Sequence, residues 1–409
     1  MKSYNLSDLE DLDTKLAKKI INAIGSAGQP PVYGYQYFSA GLDSYLTTLE
    51  EEYLDDFIRD GGSAFKLVVG AFGGGKTHFL YHVQNLAWKQ GYMTSYIQLS
   101  ANATPFHKLE AVYAAIVENL MFDQPPLDSF GQYKRGIGDI IKKWYESEAA
   151  KISTERRPTQ SEITSYLKTI GQYDSISFQN AVRLAFNALY SGDDGTYNVL
   201  IQWLKGESTP SKDLKDLHIV ETINKTNAFK MIRCLINWIE QLGYSGLVIL
   251  MDEGEQKTGL SSKEKATQLS NLRELIDASS TGMIEKTLIF YAVPDERFLE
   301  GKTGIYDAVR DRLSTVFLGY NNPAGTKIIL DNLAGPDKNP TKILTEIGFK
   351  ITKIYEIAYK ISIPSNIQEE IIDRVANESY EARFGEIGYM RLFVQSMVKE
   401  LHHHRADSG

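Results

Sequence analysis

Across 409 residues the chain carries 43% hydrophobic and 23% charged side chains, enough apolar content for one large core or two to three smaller ones. The net charge of -8 argues against a surface that attracts polyanions everywhere, while leaving room for a local basic stripe. No run approaches the roughly 18 apolar residues of a membrane span, and Met1 to Glu10 is polar without a signal-peptide apolar region, so a cytoplasmic protein without membrane contact is expected.

In chain order, Leu6, Leu9, Leu12, Leu16 and Ile20 space an amphipathic helix, ended by Gly25, Gly28 and the Pro30-Pro31 break. A linker follows, and residues 1–42 read as an N-terminal helix plus that linker. Asp43 is placed to cap a second helix with apolar positions Leu46, Leu49, Tyr53, Leu54, Phe57 and Ile58, stopped by Gly61-Gly62. Ala64 to Val69 is a short apolar run with one charge, as in a parallel-sheet strand covered on both faces.

The chain then turns through Gly70-Ala71-Phe72-Gly73-Gly74-Gly75-Lys76-Thr77, a full match to the Walker A pattern. A helix follows (Phe79, Leu80, Val83, Leu86, Ala87), closed by Gly91, and Tyr92 to Leu99 reads as a second strand. Helical patterns dominate from Pro105 to the 240s. Short segments of mixed charge there, such as Lys142 to Arg157, read as solvated helix faces. The single cysteine, Cys234, sits among Phe229, Ile232, Leu235, Ile236 and Ile239, which makes it core and excludes an internal disulfide.

Gly246 to Met251 is a fully apolar strand ending in Asp252-Glu253. Ser261 with Glu264 forms a capping box for the next helix, and Thr287 to Val293 reads as a strand stopped by Pro294. Alternation of this kind predicts an α/β fold on a central parallel sheet. The 176 residues from Lys76 to Asp252 exceed what a strand and two helices need, which predicts a helical insertion at about 125–215 within a core spanning 43–320. Beyond Tyr320 the strands stop. Helical patterns over Ile343–Ala358, Ile367–Val375 and Ile387–Leu401 predict a C-terminal helical lid over 321–409. His402, His403 and His404 read as a disordered tail or an added tag rather than as metal ligands.

The glycine loop needs glycine because its amide N–H groups must point inward and approach phosphates without Cβ atoms in the way. Gly70, Gly73, Gly74, Gly75, Lys76, Thr77 and His78 are therefore the expected nucleotide-binding residues. Lys76 is placed for the β and γ phosphates, and Thr77 offers its hydroxyl to magnesium. A chance match in a chain of this length is expected roughly once or twice in a hundred. Asp252, after five buried apolar residues, completes a Walker B strand that holds the magnesium shell, and Glu253 orients or deprotonates the attacking water. A carboxylate at 253 points to hydrolysis rather than binding alone, with ATP and Mg2+ as cofactors. Glu255 is either a secondary acid or an exposed loop glutamate.

At the end of the following strand, Tyr291 or Asp295 is the candidate for sensing the γ-phosphate. Arg310 and Arg312 are spaced either for an arginine finger acting across a subunit interface or for surface salt bridges with Asp307 and Asp311. In the lid, Gly388-Tyr389-Met390-Arg391 is placed to return Arg391 to the nucleotide.

The order of Walker A, Walker B, a further strand, an arginine-rich segment and a helical lid with Gly-x-x-Arg resembles the AAA+ class of P-loop ATPases, particularly its initiator-like branch. Gly61-Gly62-Ser63-Ala64-Phe65-Lys66-Leu67-Val68-Val69-Gly70, leading into Gly73-Gly74-Gly75-Lys76-Thr77-His78-Phe79-Leu80, is similar to the ATP-binding proteins of BREX-type phage-defence systems. Asn271-Leu272-Arg273-Glu274-Leu275-Ile276-Asp277 adds to the likeness, which covers most of residues 20–320 and thins in the insertion. The proline ending the sensor strand departs from the AAA+ pattern. The resemblance implies an ATP-driven switch or motor working with DNA, double-stranded DNA among the expected partners, and with other defence proteins such as a helicase or methyltransferase; the arginine pair and the lid point to a homo-oligomer. A signalling NTPase that recognises a protein partner through the insertion is the alternative. A small-molecule kinase lacks an acceptor-site signature here, and a pure DNA-binding module lacks a basic, aromatic-interleaved stretch.

Overall fold

Strand β1 (Ser63–Val69) sets the architecture, because its side chains divide between two apolar layers. Phe65 and Leu67 enter the core on one face of the sheet, and Val68 enters the core on the other. Strands β4 (Leu247–Asp252) and β5 (Thr287–Val293) divide in the same way and are buried throughout, as strands covered on both faces must be. The computed structural model describes residues 9, 12–127, 132–152, 156–253, 260–301, 303–314, 325–332, 340–384 and 388–408.

The sheet has six strands in the order β3-β2-β4-β5-β1-β6, with β2 at Met93–Gln98, β3 at Leu120–Met121 and β6 at Lys327–Ile329. Five strands are mutually parallel. The expected fully parallel sheet is corrected at one edge, where β3 runs antiparallel to β2. The expectation that strands stop before residue 320 is also corrected, since β6 pairs with β1. Both missed strands lie at sheet edges and span two and three residues, too short to leave a periodic signal in sequence. Because the other strands share one direction, the C-terminal ends of β1, β2, β4, β5 and β6 lie along one edge of the sheet, where α/β proteins build their sites.

One face of the sheet is covered by α3 (Lys76–Lys89) and by α2 (Asp43–Thr48), which continues as a π-helix over Leu49–Phe57. Asp43 lies in the first turn of α2 and makes no cap hydrogen bond, contrary to the expected N-cap. On the other face lie α4 (Leu109–Glu118) and α11 (Ser262–Ser280), whose capping box of Ser261 and Glu264 forms as expected. Helices α5 (Ile137–Ile152), α6 (Gln160–Thr169), α7 (Ile176–Ser191), α8 (Asp194–Leu204), α9 (Ser211–Lys215) and α10 (Ala228–Gln241) extend that core around Trp144, Phe186 and Trp238. Helix α12 (Gly304–Leu313) follows β5.

A third core joins the two ends of the chain. Helix α1 (Thr14–Ala27) starts at Asp13, whose carboxylate accepts from the Lys15 and Leu16 amides, a cap worth about 1 kcal/mol. Its Leu16, Ile20, Ile21 and Ile24 bury with Leu344, Ile351, Phe393 and Met397 of α13 (Pro340–Tyr359) and α15 (Tyr389–Ser408), beside α14 (Ser365–Glu381). Each such side chain contributes roughly 1.5–3 kcal/mol. The three histidines expected in a disordered tail are helical: they belong to α15, and His402 Nδ1 lies 2.8 Å from the Tyr355 hydroxyl. Helix α15 continues to Ser408 because Met397, Val398 and Leu401 keep one face on this core.

The single charge of β1, Lys66, is 1% exposed. Its Nζ donates to the Tyr53 hydroxyl at 2.9 Å and to the Gly325 carbonyl at 3.0 Å. Burial lowers its pKa to about 7. Between about pH 7 and pH 10 the unfolded chain therefore holds a proton that the native lysine has released, and stability rises with pH across that window. Lys66→Met should raise Tm relative to wild type by several degrees more at pH 6.5 than at pH 9.5, by calorimetry. An equal shift at both pH values would mean that the lysine stays charged when folded.

Candidate functional site

The loop between β1 and α3 reverses the chain through Gly73 at φ +71° and Gly75 at φ +92°, a region that side chains with a Cβ rarely occupy. At Gly73 an added Cβ would also lie 2.8 Å from Arg391 Cβ. Lys76, the first residue of α3, is buried and folds back on the loop, its Nζ donating to the carbonyls of Gly70 (2.7 Å) and Ala71 (3.1 Å). An ammonium held by neutral carbonyls gains when an anion replaces them, because charge-assisted hydrogen bonds are about twice as strong.

Thr77 Oγ1 donates to Asp252 Oδ2 at 2.7 Å, across 175 positions of sequence. Asp252 is 2% exposed at the end of β4. Its Oδ2 also accepts from the Tyr96 hydroxyl at 2.8 Å, and its Oδ1 accepts from the Glu253 amide at 2.9 Å. Burial, then the charge of Asp252, raises the Tyr96 pKa far above the usual phenol range, so the phenol stays a donor. Glu253 is exposed and left-handed at φ +57°, an uncommon conformation for a residue with a side chain and one that concentrates at functional positions. A hydroxyl beside a carboxylate next to the glycine loop is an oxygen donor set that suits Mg2+, which takes one or two carboxylates and leaves the rest to waters and phosphates.

Gly73, Gly75, Lys76, Thr77, Asp252 and Glu253 line a cavity of about 580 Å3, within the range of small-molecule sites. Its floor is the glycine loop, with Gln98, Asp252, Glu253 and Pro294 at the strand ends. Its walls come from the distant ends of the chain: Gly28–Pro30 and Phe38–Leu42, next to Ile343 and Ile347 of α13 and Met390, Arg391 and Val394 of α15. His78 lines the cavity, but its ring is engaged: Ser39 Oγ lies 2.6 Å from Nε2 of His78 and 2.5 Å from Nε2 of His82. Burial lowers these imidazole pKa values to about 3 and about 4, so both rings are neutral near pH 7.

The start of α15 rests directly on the loop. The Arg391 amide donates to the Gly73 carbonyl at 3.2 Å, and Arg391 Nε is buried without a hydrogen-bond partner among the described residues. A Cβ added at Gly388 would lie 1.9 Å from the Phe72 carbonyl oxygen. No other residue fits this contact.

The structure thus gathers Gly70, Gly73, Gly74, Gly75, Lys76, Thr77, His78, Asp252, Glu253 and Arg391. It does not bring Arg310 or Arg312 to this cavity. Arg310 ion-pairs with Asp307 on α12, whereas Arg312 pairs with Asp277 of α11 rather than with Asp311 and holds that carboxylate below its usual range. Of the two sensor candidates, Tyr291 is fully buried beside Gln268 and Asp295 pairs with Arg297; neither lines the cavity. Glu255 lies outside the described residues. Sequence reasoning missed Tyr96, Gln98 and the N-terminal wall. Gln98 pairs with Asp252 in the β2–β4 register, and such a register carries no local signal.

The fold and the cavity define an α/β protein with a glycine loop facing an acidic strand end. Over residues 12–407 the chain matches the family described as BREX system ATP-binding protein BrxC/D, and it belongs to that family. No curated protein and no solved structure matches it. The family description supports ATP as a ligand. Among the described residues no helix is long and apolar enough to cross a membrane, and no group of three or more His, Cys, Asp or Glu side chains is placed to hold a metal ion.

Gly388→Ala must push α15 off the loop, and overpacking of this kind costs about 1–3 kcal/mol. The expected outcome by calorimetric titration is ADP affinity weakened roughly tenfold. Unchanged affinity would show that the seating of α15 on the loop does not shape the site.

Proposed function

We propose that the chain is a Mg-ATP hydrolase of the P-loop, AAA+-like class that couples turnover to remodelling of DNA or of a protein partner in an antiviral assembly. The observation that carries this reading is the Thr77–Asp252 hydrogen bond, which joins the glycine loop to the acidic strand end at the edge of a nucleotide-sized cavity. The order of strands supports it too, since β5 separates β1 from β4 and leaves a crevice beyond their C-terminal ends.

In this reading the loop amides and Lys76 hold the phosphates, and Ile343, Ile347, Phe38 and Met390 enclose the base between the two ends of the chain. Thr77 and Asp252 hold magnesium, which when bound offsets phosphate charge and polarises the terminal phosphoryl group. Glu253 orients the attacking water and takes its proton. Arg391, whose buried Nε has no hydrogen-bond partner among the described residues, supplies a further cation to the phosphates. Arg310 and Arg312, away from this cavity, act on the nucleotide of a neighbouring copy in a homo-oligomer, with a helicase or methyltransferase of the same defence system and double-stranded DNA as further partners.

One observation favours a second reading, a nucleotide-timed switch that binds a protein through the helices between β3 and β4. Ile176 and Val220 are 72% and 86% exposed there, and the Val220 amide donates to the hydroxyl of Ser177, the residue after Ile176, so the two segments that carry these exposed apolar residues lie side by side.

Lys76→Ala should abolish ATP binding. Glu253→Gln should retain binding and lower turnover at least roughly a hundredfold, and normal turnover in that variant would remove Glu253 from the chemistry. Steady-state hydrolysis measured against protein concentration, with and without duplex DNA, separates the two readings. Turnover per subunit that rises with both supports an assembling, DNA-coupled machine, and Arg310→Ala should then lower turnover without weakening affinity. A slow rate indifferent to both supports the switch.

A further inference from the structure

The hydrolase reading assigns Asp252 to the magnesium shell but leaves open what holds its carboxylate at the required angle. That torsion is intrinsically soft, since terminal sp3–sp2 rotations of carboxylates have broad minima. Two donors converge on Oδ2, Thr77 Oγ1 at 2.7 Å and the Tyr96 hydroxyl at 2.8 Å, while the Glu253 amide occupies Oδ1 at 2.9 Å. A threonine hydroxyl has one proton and two lone pairs. With its proton on Asp252, Thr77 presents both lone pairs to a hard cation, provided that the carboxylate stays where it is.

Thr77 cannot by itself keep it there, because that hydroxyl rotates with the carboxylate it follows. Tyr96 can, because its ring is fixed from elsewhere. It stands on β2, two residues before the Gln98 position that pairs with Asp252. Its ring packs on Tyr81 of α3, with centroids 5.3 Å apart at 51°. Tyr81 follows Thr77 by one helical turn, and its carbonyl accepts from the Tyr35 hydroxyl at 2.8 Å. Helix α3 therefore supplies both the metal-site hydroxyl and the clamp on the tyrosine that orients its partner.

We propose that Tyr96 is a positioning residue for the divalent cation: its hydroxyl locks the Asp252 carboxylate so that Thr77 and Asp252 meet magnesium preorganised. The proposal rests on the hydrolase reading of the site. Outer partners of this kind typically cost about 10–100-fold in metal affinity when removed.

The test is calorimetric titration of ADP into wild-type protein and Tyr96→Phe, each in EDTA and across a range of Mg2+ concentrations, with a thermal scan of both. The phenylalanine keeps the ring on Tyr81. The expected result is unchanged ADP affinity in EDTA, with the Mg2+ concentration for half-maximal enhancement of ADP binding raised roughly tenfold in the variant. The same Mg2+ dependence in both proteins overturns the positioning role and leaves the hydrolase reading intact. Loss of ADP affinity in EDTA, or a collapsed thermal transition, assigns Tyr96 to packing and also overturns it. A wild-type protein that binds ADP with no magnesium enhancement removes the metal site itself, and both readings fall together.

Discussion

The hydrogen bond between Thr77 and Asp252 ties the first residues of α3 to the end of β4, segments 175 positions apart in the chain. For the two to meet, β1 and β4 must lie in one sheet with common polarity, and the long helical stretch between them must leave and return on one side of that sheet. The parallel pairings of β5 with both β1 and β4 meet the first demand. Helices α5 to α10 meet the second by burying their aromatic residues in the core that already covers one sheet face. A buried carboxylate is tolerable at the meeting point only because donors surround it, namely a threonine, a tyrosine and a backbone amide.

The ends of the chain complete the cavity. Helix α1 packs with α13 and α15 in a core of its own, and the start of α15 sits on the glycine loop where only Gly388 fits. Ser39, between His78 and His82, fastens the N-terminal segment to α3. Anything that rearranges the loop is thereby felt at both ends of the chain, which is the coupling a nucleotide-driven machine or a nucleotide-timed switch needs.

Burial sets the charge state of four ionisable groups. Lys66, His78 and His82 have their charged forms disfavoured by burial, and Tyr96 is held protonated by burial and by the charge of Asp252. Around the acidic strand end, therefore, Tyr96 contributes a donor rather than a second anion, and the two histidines add no cation near neutral pH. Among the described residues, the cations that line the cavity are Lys76 on the loop and Arg391 on α15, with Lys76 hydrogen-bonded to loop carbonyls that a bound anion would replace.

The amino-acid sequence by itself determined the local pieces: the glycine loop with its flanking strand and helix, the apolar strand ending in Asp252-Glu253, the Ser261 capping box, the exact span of β5 and the C-terminal helices. Each is written in contiguous residues, through glycine torsions, side-chain oxygens that cap amides, or an unbroken apolar run. Only the tertiary structure decided the antiparallel edge strand β3, the late strand β6, the union of α1 with α13–α15, the pairing of Arg312 with Asp277 and the place of Tyr96 beside Asp252. These depend on which surfaces meet once the chain closes, and strand register and helix docking are set by packing between segments far apart, which no single stretch of sequence encodes.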